Sequence, residues 1–318
     1  MGKVERLIKA INRIAKVEED ELKEEIAEFP AMDATLNAVE EYEKKVAGLF
    51  RNQRKYFVNG FKEAISKDET LDLKTLLKKL LESDEFAEKM AEYTETFLTM
   101  TIEELTQAIM ENIDEDVVFD ILSQRTVDWI KAWSKDLADL MKLSTHTELE
   151  ASIAAVIETG EGIDKAIERI KDLPGFNRTR ARTTAITEVL RANSVSAHEA
   201  FMQSPAVIQK TWKHSGAKKN KPRRNHVKLD GTSIGLDEVF DVGGHDGRYP
   251  RDSRLPPEES INCHCVLGPV VDSKILGLSK EEKGKLRDQA RKEADEAWLK
   301  ELDEKAKQKS EEWHENNK

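Results

Sequence analysis

The stretch HVKLDGTSIGLDEVFDVGGHDGRYPRDSRLPPEESINCHCVL, residues 226–267, decides the fold of the C-terminal half of this chain. It concentrates glycine, proline and aspartate, and it contains both cysteines and three of the seven histidines. Helices do not tolerate so many breaking residues at such short intervals. The segment therefore predicts a compact module of loops and short strands.

Short strands are predicted on both sides of this stretch and within it. Alternating apolar residues favour strands at Val207–Trp212 and Cys265–Val271, and Val239-Phe240 is a further strand candidate. The pair Asp230-Gly231 has the preference of a type I′ turn, so it predicts the reversal of a hairpin.

The rest of the chain has helical periodicity. Apolar residues recur every three or four positions in a short opener at 4–15 and then in longer runs between 36 and 141, which predicts a helical bundle. After Ser279, whose spacing to Glu282 is typical of a capping box, balanced lysine and glutamate predict a solvated helix. The expected fold is α+β, mainly α, with a helical N-terminal domain at 1–144, a helix-plus-short-strand module at 145–271 and a charged helical tail at 272–318.

Composition narrows the class of protein. Charged residues make up 36% of the 318 residues, and no apolar run approaches the roughly 20 residues of a membrane span. The opening Met1-Gly2-Lys3-Val4 leads into an amphipathic pattern with no signal-peptide core, so we expect a protein made and kept in a cytoplasm, with no membrane partner. A net charge of −11 argues against nucleic-acid binding over the whole surface.

One basic stretch departs from this acidic balance. Between residues 210 and 228 there are eight basic side chains and no acidic one: Lys210, Lys213, Lys218, Lys219, Lys221, Arg223, Arg224 and Lys228. Such a stretch is either a solvated loop or a contact with DNA or with an acidic protein face.

The two cysteines suggest a metal site. Thiolates at Cys-x-Cys spacing bind one ion from a tight turn, and Cys263 and Cys265 with His226 and His245 supply the donors of a tetrahedral zinc centre. The alternative is a pair of buried thiols that pack beneath the strands, with His226 hydrogen-bonded to Asp230 or to the backbone.

Catalytic interpretations have less support from the residues. Cys263 as a nucleophile with His226 as its base needs only proximity, yet no oxyanion-hole glycine or activating third group is evident. The gap from His226 to Asn262 is too long for a His-Asn-His nuclease finger, and no glycine-rich phosphate loop is present. We therefore expect a protein that is not an enzyme.

Several separated motifs together resemble the head-morphogenesis domain of tailed-phage minor head proteins, the Mu F-like family. They occur in the order of that family over roughly residues 145–270: Arg182-Thr183-Thr184-Ala185-Ile186-Thr187-Glu188, Ala192-Asn193, Trp212, Arg224-x-His226, Leu229-Asp230-Gly231, Phe240, Tyr249-Pro250-x-Asp252 and Asn262-Cys263-x-Cys265. Glu188 and Asn193, taken alone on their helix, would favour surface positions. His264 departs from the family, which often has a basic residue between the two cysteines.

The resemblance implies a minor head protein present in few copies at the portal vertex. Its implied partners are the portal protein and capsid or scaffolding proteins, and its implied location is the virion, after assembly in the host cytoplasm. The implied role is head morphogenesis and genome packaging or delivery. One alternative is a toxin that uses the same domain as a carrier, which would need an effector domain where this sequence has a charged helix after Val271. The other alternative is a metal-dependent enzyme built on His226, Cys263 and Cys265.

Overall fold

The computed structural model describes residues 31–66, 72–214 and 223–316, and the side chains of the last helix through residue 308. The predicted opener at 4–15 lies outside the described residues, as do Lys218, Lys219 and Lys221 of the basic stretch. The predicted fold class is confirmed: the chain is mainly helical and carries small antiparallel sheets.

Long helices make up most of the described chain. The helices are α1 (Met32–Ser66), α2 (Leu73–Glu82), α3 (Phe86–Ile113), α4 (Gln124–Glu158), α5 (Ile163–Lys171), α6 (Arg178–Gln203), α7 (Arg224–Leu229), α8 (Pro257–Ser260), α9 (Ser273–Leu276) and α10 (Lys280–Asn316). A 3₁₀ turn at Pro174–Phe176 precedes α6. None of the described helices is both long enough and apolar enough to cross a membrane.

The described residues divide into two compact units. Unit 1 contains residues 31–36, 102–127 and 190–316, and unit 2 contains 37–66, 72–101 and 128–189. The helix α4 runs through residue 145, where the sequence composition changes. The domain boundaries expected from the sequence remain predictions.

The core of unit 2 is aromatic and has a polar centre. Tyr42 is fully buried against Phe97, with ring centroids 4.6 Å apart, and its hydroxyl is 2.8 Å from the Thr94 hydroxyl. The buried Asp84 carboxylate accepts hydrogen bonds from the Gln53 amide at 2.7 Å and from the Phe86 backbone N–H at 3.1 Å. Asp84 therefore caps α3 and ties it to α1.

The helix α6 is buried on all sides over residues 187–201. Alanines and serines supply much of this stretch, so other elements can approach its backbone closely. Several of the polar side chains that it buries have hydrogen-bond partners, as buried polar groups usually do. Within unit 1, the Glu199 carboxylate accepts from the Ser123 backbone N–H at 2.6 Å and from the Thr126 hydroxyl at 2.5 Å, which caps the first turn of α4.

Two small sheets belong to unit 1. The strands β2 (Ser233–Gly235), β1 (Val207–Lys213) and β5 (Val266–Val271) form an antiparallel sheet in that order, and β3 (Phe240–Asp241) pairs with β4 (Asp246–Gly247). In the register of β1 with β5, Trp212 lies opposite Leu267. The strands predicted around 207–212 and 265–271 are confirmed.

The predicted hairpin turn at Asp230-Gly231 is wrong. A type I′ turn needs positive φ at both central residues, but Asp230 has a φ of −53° and Gly231 a φ of +75°. The connection from β1 to β2 contains α7, and Asp230-Gly231 ends that helix. The Gly231 N–H then donates to the Trp212 carbonyl at 2.9 Å, which starts the pairing of β2 with β1.

Candidate metal centre

The cluster of His226, Cys263 and Cys265 is built by a short helix and by the segment before β5. His226 lies in α7, and the two cysteines immediately precede β5. The backbone at Asn262 has a φ of +53°, a left-handed conformation that asparagine adopts more readily than most residues. This left-handed turn directly precedes Cys263, and β5 follows Cys265 directly. The turn and the strand together place Cys263 next to His226 of α7.

The potential ligand atoms of these three residues lie within 4.8 Å of one another. The His226 Nδ1 atom is 3.5 Å from the Sγ of Cys263 and 3.5 Å from the Sγ of Cys265. All three side chains are buried, with exposed fractions of 2% for His226, 2% for Cys263 and 3% for Cys265. One imidazole and two thiols therefore face a common point inside unit 1.

A carboxylate lies beside the other nitrogen of the His226 ring. His226 Nε2 is 2.9 Å from Glu259 Oε2, and the Asn225 side-chain amide donates to Glu259 Oε1 at 2.7 Å. Glu259 comes from α8. Metal-ligating histidines commonly donate their second N–H to a carboxylate, which fixes the tautomer and leaves the first nitrogen free to bind the ion.

The two thiols differ in their affinity for a proton. A hydrogen bond from Cys265 lowers the pKa of Cys263 well below its ordinary value, helped by His226 and Arg251 and opposed by burial. The same hydrogen bond raises the pKa of Cys265, as does burial. The pair is therefore best described as one thiolate that accepts a hydrogen bond from one thiol.

A buried arginine lies beside the thiol pair. Arg251 is fully buried with a φ of +64°, and its guanidinium donates to the Cys263 carbonyl at 2.5 Å and to the Ser194 hydroxyl at 2.6 Å. Its carbonyl in turn accepts a hydrogen bond from the Arg191 guanidinium. These bonds tie the loop after β4 to α6 and to the cysteine segment, and they place a positive charge near the thiolate.

Trp212 forms an aromatic wall of the cluster. Its fully buried ring meets the His226 ring edge-on, with centroids 5.3 Å apart, and meets Phe240 in the same manner at 5.3 Å. Trp212 thus covers the imidazole with an apolar surface, and Phe240 packs against Trp212 in turn. Such a shell restricts the access of water to the three ligand atoms.

The structure does not bring His245 into this cluster. His245 is exposed in the turn between β3 and β4, and its backbone pairs with that of Val242 there. Because the tip of this short turn is exposed, the His245 side chain does not provide a fourth ligand to the three buried ones. His264, between the two cysteines, is also buried, but it is not one of the three clustered residues.

The described members of the basic stretch do not form one uniform surface. Lys213, Arg224 and Lys228 are exposed, whereas Arg223 donates to the Ile261 carbonyl at 2.7 Å. Lys210 is fully buried, and its ammonium donates to the Leu236 carbonyl at 2.6 Å. Lys210 therefore cannot contact a partner directly, because it occupies an inward-facing position of β1.

The surface positions favoured for Glu188 and Asn193 are wrong. Both side chains are buried, Glu188 to 3% and Asn193 to 1% exposure. In unit 2, Glu188 accepts a hydrogen bond from the Trp133 indole at 2.6 Å, and in unit 1, Asn193 donates to the Thr35 hydroxyl at 3.4 Å. The sequence reasoning also missed Glu259 and Arg251, for which the surrounding sequence gives no signal beyond their place in the glycine- and proline-rich stretch.

Comparison with known proteins identifies the same part of the chain. The model of the family described as Phage Mu protein F like protein matches residues 147–268, which include the whole cluster. The uncharacterized protein YqbB of Bacillus subtilis (strain 168) is 49% identical over 297 residues, which cover 90% of this chain and 97% of that protein. No solved structure matches the chain.

Two further relatives match shorter parts of the chain. The minor head protein GP7 of Bacillus phage SPP1 is 31% identical over 127 residues, 39% of this chain and 40% of GP7. The NAD(+)–arginine ADP-ribosyltransferase EFV of Enterococcus faecalis (strain ATCC 700802 / V583) is 32% identical over 109 residues, 33% of this chain and 22% of that protein. The motif order and the family match agree: residues 147–268 form a domain of the Phage Mu protein F like family, and the near full-length match places the chain in one family with YqbB.

Proposed function

We propose that this protein is a minor structural component of the head of a tailed phage or prophage, without catalytic activity. In this role it associates with the portal vertex and with capsid or scaffolding proteins, and it acts in head morphogenesis and in genome packaging or delivery. It is assembled in the host cytoplasm and remains in the virion. The observation that carries the proposal is the match of residues 147–268, which hold the buried cluster, to the Phage Mu protein F like family, and the 31% identity over 127 residues with a phage minor head protein supports it.

The test is the composition of purified heads. Heads are assembled in cells that express the tagged full-length chain, purified away from free protein, and analysed by quantitative mass spectrometry against the portal protein. We expect a few copies of the chain per head, in a fixed ratio to the portal protein. Heads that contain the portal protein and none of this chain would contradict the proposal.

The same module is proposed to hold one zinc ion. Soft thiolates and an imidazole are a ligand set that zinc prefers, and catalytic or partly open zinc sites have three protein ligands. The donors present fit zinc. The ligand atoms of His226, Cys263 and Cys265 are buried and lie within 4.8 Å of one another, and the Glu259 carboxylate lies 2.9 Å from the second nitrogen of the imidazole. The ion would act as a structural staple for a loop-rich module.

Elemental analysis of protein purified without chelator tests the zinc proposal. We expect one zinc per chain in the wild type, and a content near zero in Cys263→Ser and in His226→Asn. The exposed His245 provides the matched control, because His245→Asn should leave the zinc content unchanged. A wild type without zinc would favour the buried-thiol alternative, and zinc loss in His245→Asn would restore that residue as a ligand.

The exposed part of the basic stretch is proposed to contact DNA or an acidic face of the head. Lys213, Arg224 and Lys228 carry this charge among the described residues. Each neutralised phosphate of duplex DNA steepens the logarithmic dependence of affinity on salt by about 0.9. A contact of several lysines should therefore weaken sharply over a modest increase in salt.

DNA binding by the full-length chain at two salt concentrations measures this slope. The test variant changes Lys213, Arg224 and Lys228 to glutamate, and the charge-matched control changes Lys44, Lys55 and Lys62, which are exposed on α1, to glutamate. We expect the test variant to lose both affinity and slope, and the control to keep them. Equal, weak DNA binding by all three proteins would contradict the contact with DNA. The contact with an acidic protein face is then tested by measuring how much of the test variant is incorporated into heads.

A second candidate is a carrier module for a phage-derived toxin. The 32% identity over 109 residues with a protein named as an ADP-ribosyltransferase favours it, since that match spans 33% of this chain and only 22% of the larger protein. Export decides between the two functions. A carrier would be recovered from the medium of cells that lack the other head genes, whereas a head component would stay in the cell until lysis.

A further inference from the structure

Two arginines of unit 1 share a single carboxylate supplied by the C-terminal helix. Arg248, just after β4, places Nη2 3.2 Å from Oε1 and 3.3 Å from Oε2 of Glu301, and Arg125, in the first turn of α4, places Nη2 3.8 Å from Oε2. All three side chains are partly accessible, with exposed fractions of 24% for Arg125, 21% for Arg248 and 34% for Glu301. The carboxylate thus bridges two guanidinium groups at the surface of the unit.

Further basic groups lie behind these arginines. Burial and the positive charge of Arg248 lower the pKa of the Lys210 ammonium to about 7. His198 is 7% exposed, and neither of its ring nitrogens has a hydrogen-bond partner among the described residues. Burial, followed by the charges of Lys210 and Arg125, lowers the pKa of His198 well below its ordinary value.

Acidic groups other than Glu301 do not balance this charge. The nearby Asp252 carboxylate is engaged by the Arg254 guanidinium at 2.7 Å and by the Arg248 backbone N–H at 2.9 Å. Asp237 raises the pKa of Lys210 less than Arg248 lowers it. The positive charge around Arg125 and Arg248 therefore exceeds the single negative charge that Glu301 supplies.

The helix that carries Glu301 is attached by polar contacts along one face. Every three or four residues, a side chain of α10 contacts the segment 114–125. The contacts are Lys283 with Asp114 at 2.9 Å, Arg287 with the Val118 carbonyl at 2.7 Å and Arg291 with Asp120 at 3.1 Å. Asp295 accepts from the Gln124 N–H at 3.3 Å, and Trp298 packs against Arg125. The Lys283–Asp114 pair is buried, whereas the Arg291–Asp120 pair is partly exposed, and exposed ion pairs contribute little and are screened by salt. A helix attached in this way is easier to release than one attached by an apolar face.

We propose that Arg125 and Arg248 form a binding site for a phosphate dianion, and that Glu301 closes this site while α10 is docked. Paired guanidinium groups match the oxygens of a phosphate, and a dianion neutralises both arginines where a carboxylate neutralises one. The phosphate is either a free phosphate or the terminal phosphate of a nucleic acid, since both carry the second negative charge. Its binding replaces the contacts of Glu301 and loosens the last turns of α10.

Calorimetric titration of the full-length chain with inorganic phosphate, against chloride at equal ionic strength, tests the site. Glu301→Gln removes the competing carboxylate and should tighten phosphate binding about tenfold, since a charge-assisted hydrogen bond is worth roughly that factor. Glu304→Gln, an exposed position of the same helix, is the matched control and should bind like the wild type. Arg248→Gln should weaken binding about tenfold, and Arg125→Gln provides a second variant should Arg248→Gln fail to fold.

The source of the phosphate is resolved by two oligonucleotides that differ only in a 5′-phosphate. Tighter binding of the phosphorylated strand, enhanced in Glu301→Gln, assigns the site to nucleic-acid ends. Equal binding of both strands, together with saturable binding of inorganic phosphate, assigns it to free phosphate. The proposal is overturned if Glu301→Gln binds inorganic phosphate no more tightly than Glu304→Gln, or if both arginine variants fold and bind it as the wild type does.

Discussion

The contact between His226 and Glu259 is a feature of the proposed zinc site that a single substitution can test. The carboxylate lies 2.9 Å from the imidazole nitrogen that faces away from the thiols. Removal of a partner of this kind costs about 10- to 100-fold in metal affinity. We expect Glu259→Gln to weaken zinc binding within that range, as measured by competition with a chromogenic chelator.

Glu258→Gln is the control for this variant, because Glu258 is exposed and adjacent in the sequence. It should bind zinc like the wild type. Equal zinc affinity in Glu259→Gln and Glu258→Gln would show that the carboxylate does not orient the imidazole. The pairing of His226 with Glu259 was not predictable from the sequence, because α7 and α8 are joined by a long, irregular connection that fixes no spacing.

Lys210 makes the stability of the fold depend on pH. Its pKa is about 7 in the folded protein and 10.5 ordinarily, so between these values the unfolded chain holds a proton that the folded chain has released. Stability therefore rises with pH through this window, and the full cost of burying the charge is present below about pH 7. Arg248 and Arg125 add to this cost, while Asp237 and Asp252 reduce it.

Lys210→Met should stabilise the protein below pH 7, and the gain should decline toward pH 10. Removal of the buried charge is favourable and loss of the bond to the Leu236 carbonyl is not, so we expect a net gain of about 1–3 kcal/mol at pH 6. Urea unfolding at both pH values measures it, with Lys213→Met as the exposed control on the same strand. A gain that is the same at both pH values would contradict the expected titration of Lys210.

At the scale of elements, α6 shows what periodicity predicts and what it does not. The sequence analysis assigned Glu188 and Asn193 to one helix, and that helix is present from Arg178 to Gln203. Its burial on every side was not predicted, because Glu188 and Asn193 are satisfied by Trp133 and Thr35, which are distant in the sequence. The strands β1 and β5 were predictable from alternation alone, whereas the Asp-Gly turn depended on backbone angles that the short helix α7 imposes.

The close packing of α6 predicts a sharp response to added volume. Ala192 is fully buried in unit 1, and insertion of extra methyl groups into a packed core costs about 1–3 kcal/mol. We expect Ala192→Leu to lower the free energy of unfolding by this amount in denaturant titrations. Ala154→Leu, at an exposed position of α4, should be nearly neutral. Equal stability of the two variants would show that the packing around Ala192 can accommodate a larger side chain.

The α10 docking face depends on the ion pairs of Lys283. Its ammonium lies 2.9 Å from carboxylate oxygens of Asp114 and Asp116, whereas Lys285 pairs with Glu281 inside the same exposed helix. We expect Lys283→Met to accelerate hydrogen exchange in the first turns of α10 well beyond the effect of Lys285→Met, because Lys283 pairs with carboxylates outside the helix and Lys285 pairs with one inside it. Equal exchange in the two variants would contradict an attachment at this point.

For the whole molecule, the zinc proposal predicts unequal stability of the two units. All three ligands lie in unit 1, so removal of the ion should destabilise that unit first. We expect chelator to accelerate hydrogen exchange in β1, β5 and α7, while the aromatic core of unit 2 stays protected. Free zinc at a hundredfold excess over its Kd should restore about 2.7 kcal/mol of stability. Uniform loss of protection in both units would contradict a local staple.

The division into units also has a consequence for synthesis on the ribosome. Unit 2 lies within residues 37–189 and can be completed while the C-terminal part of the chain is still being made. Unit 1 draws on residues 31–36, 102–127 and 190–316, so its early segments must wait for the later ones to emerge. The half-built protein therefore exposes apolar helix surface for much of translation, and its yield in cells should depend on chaperones that hold nascent chains.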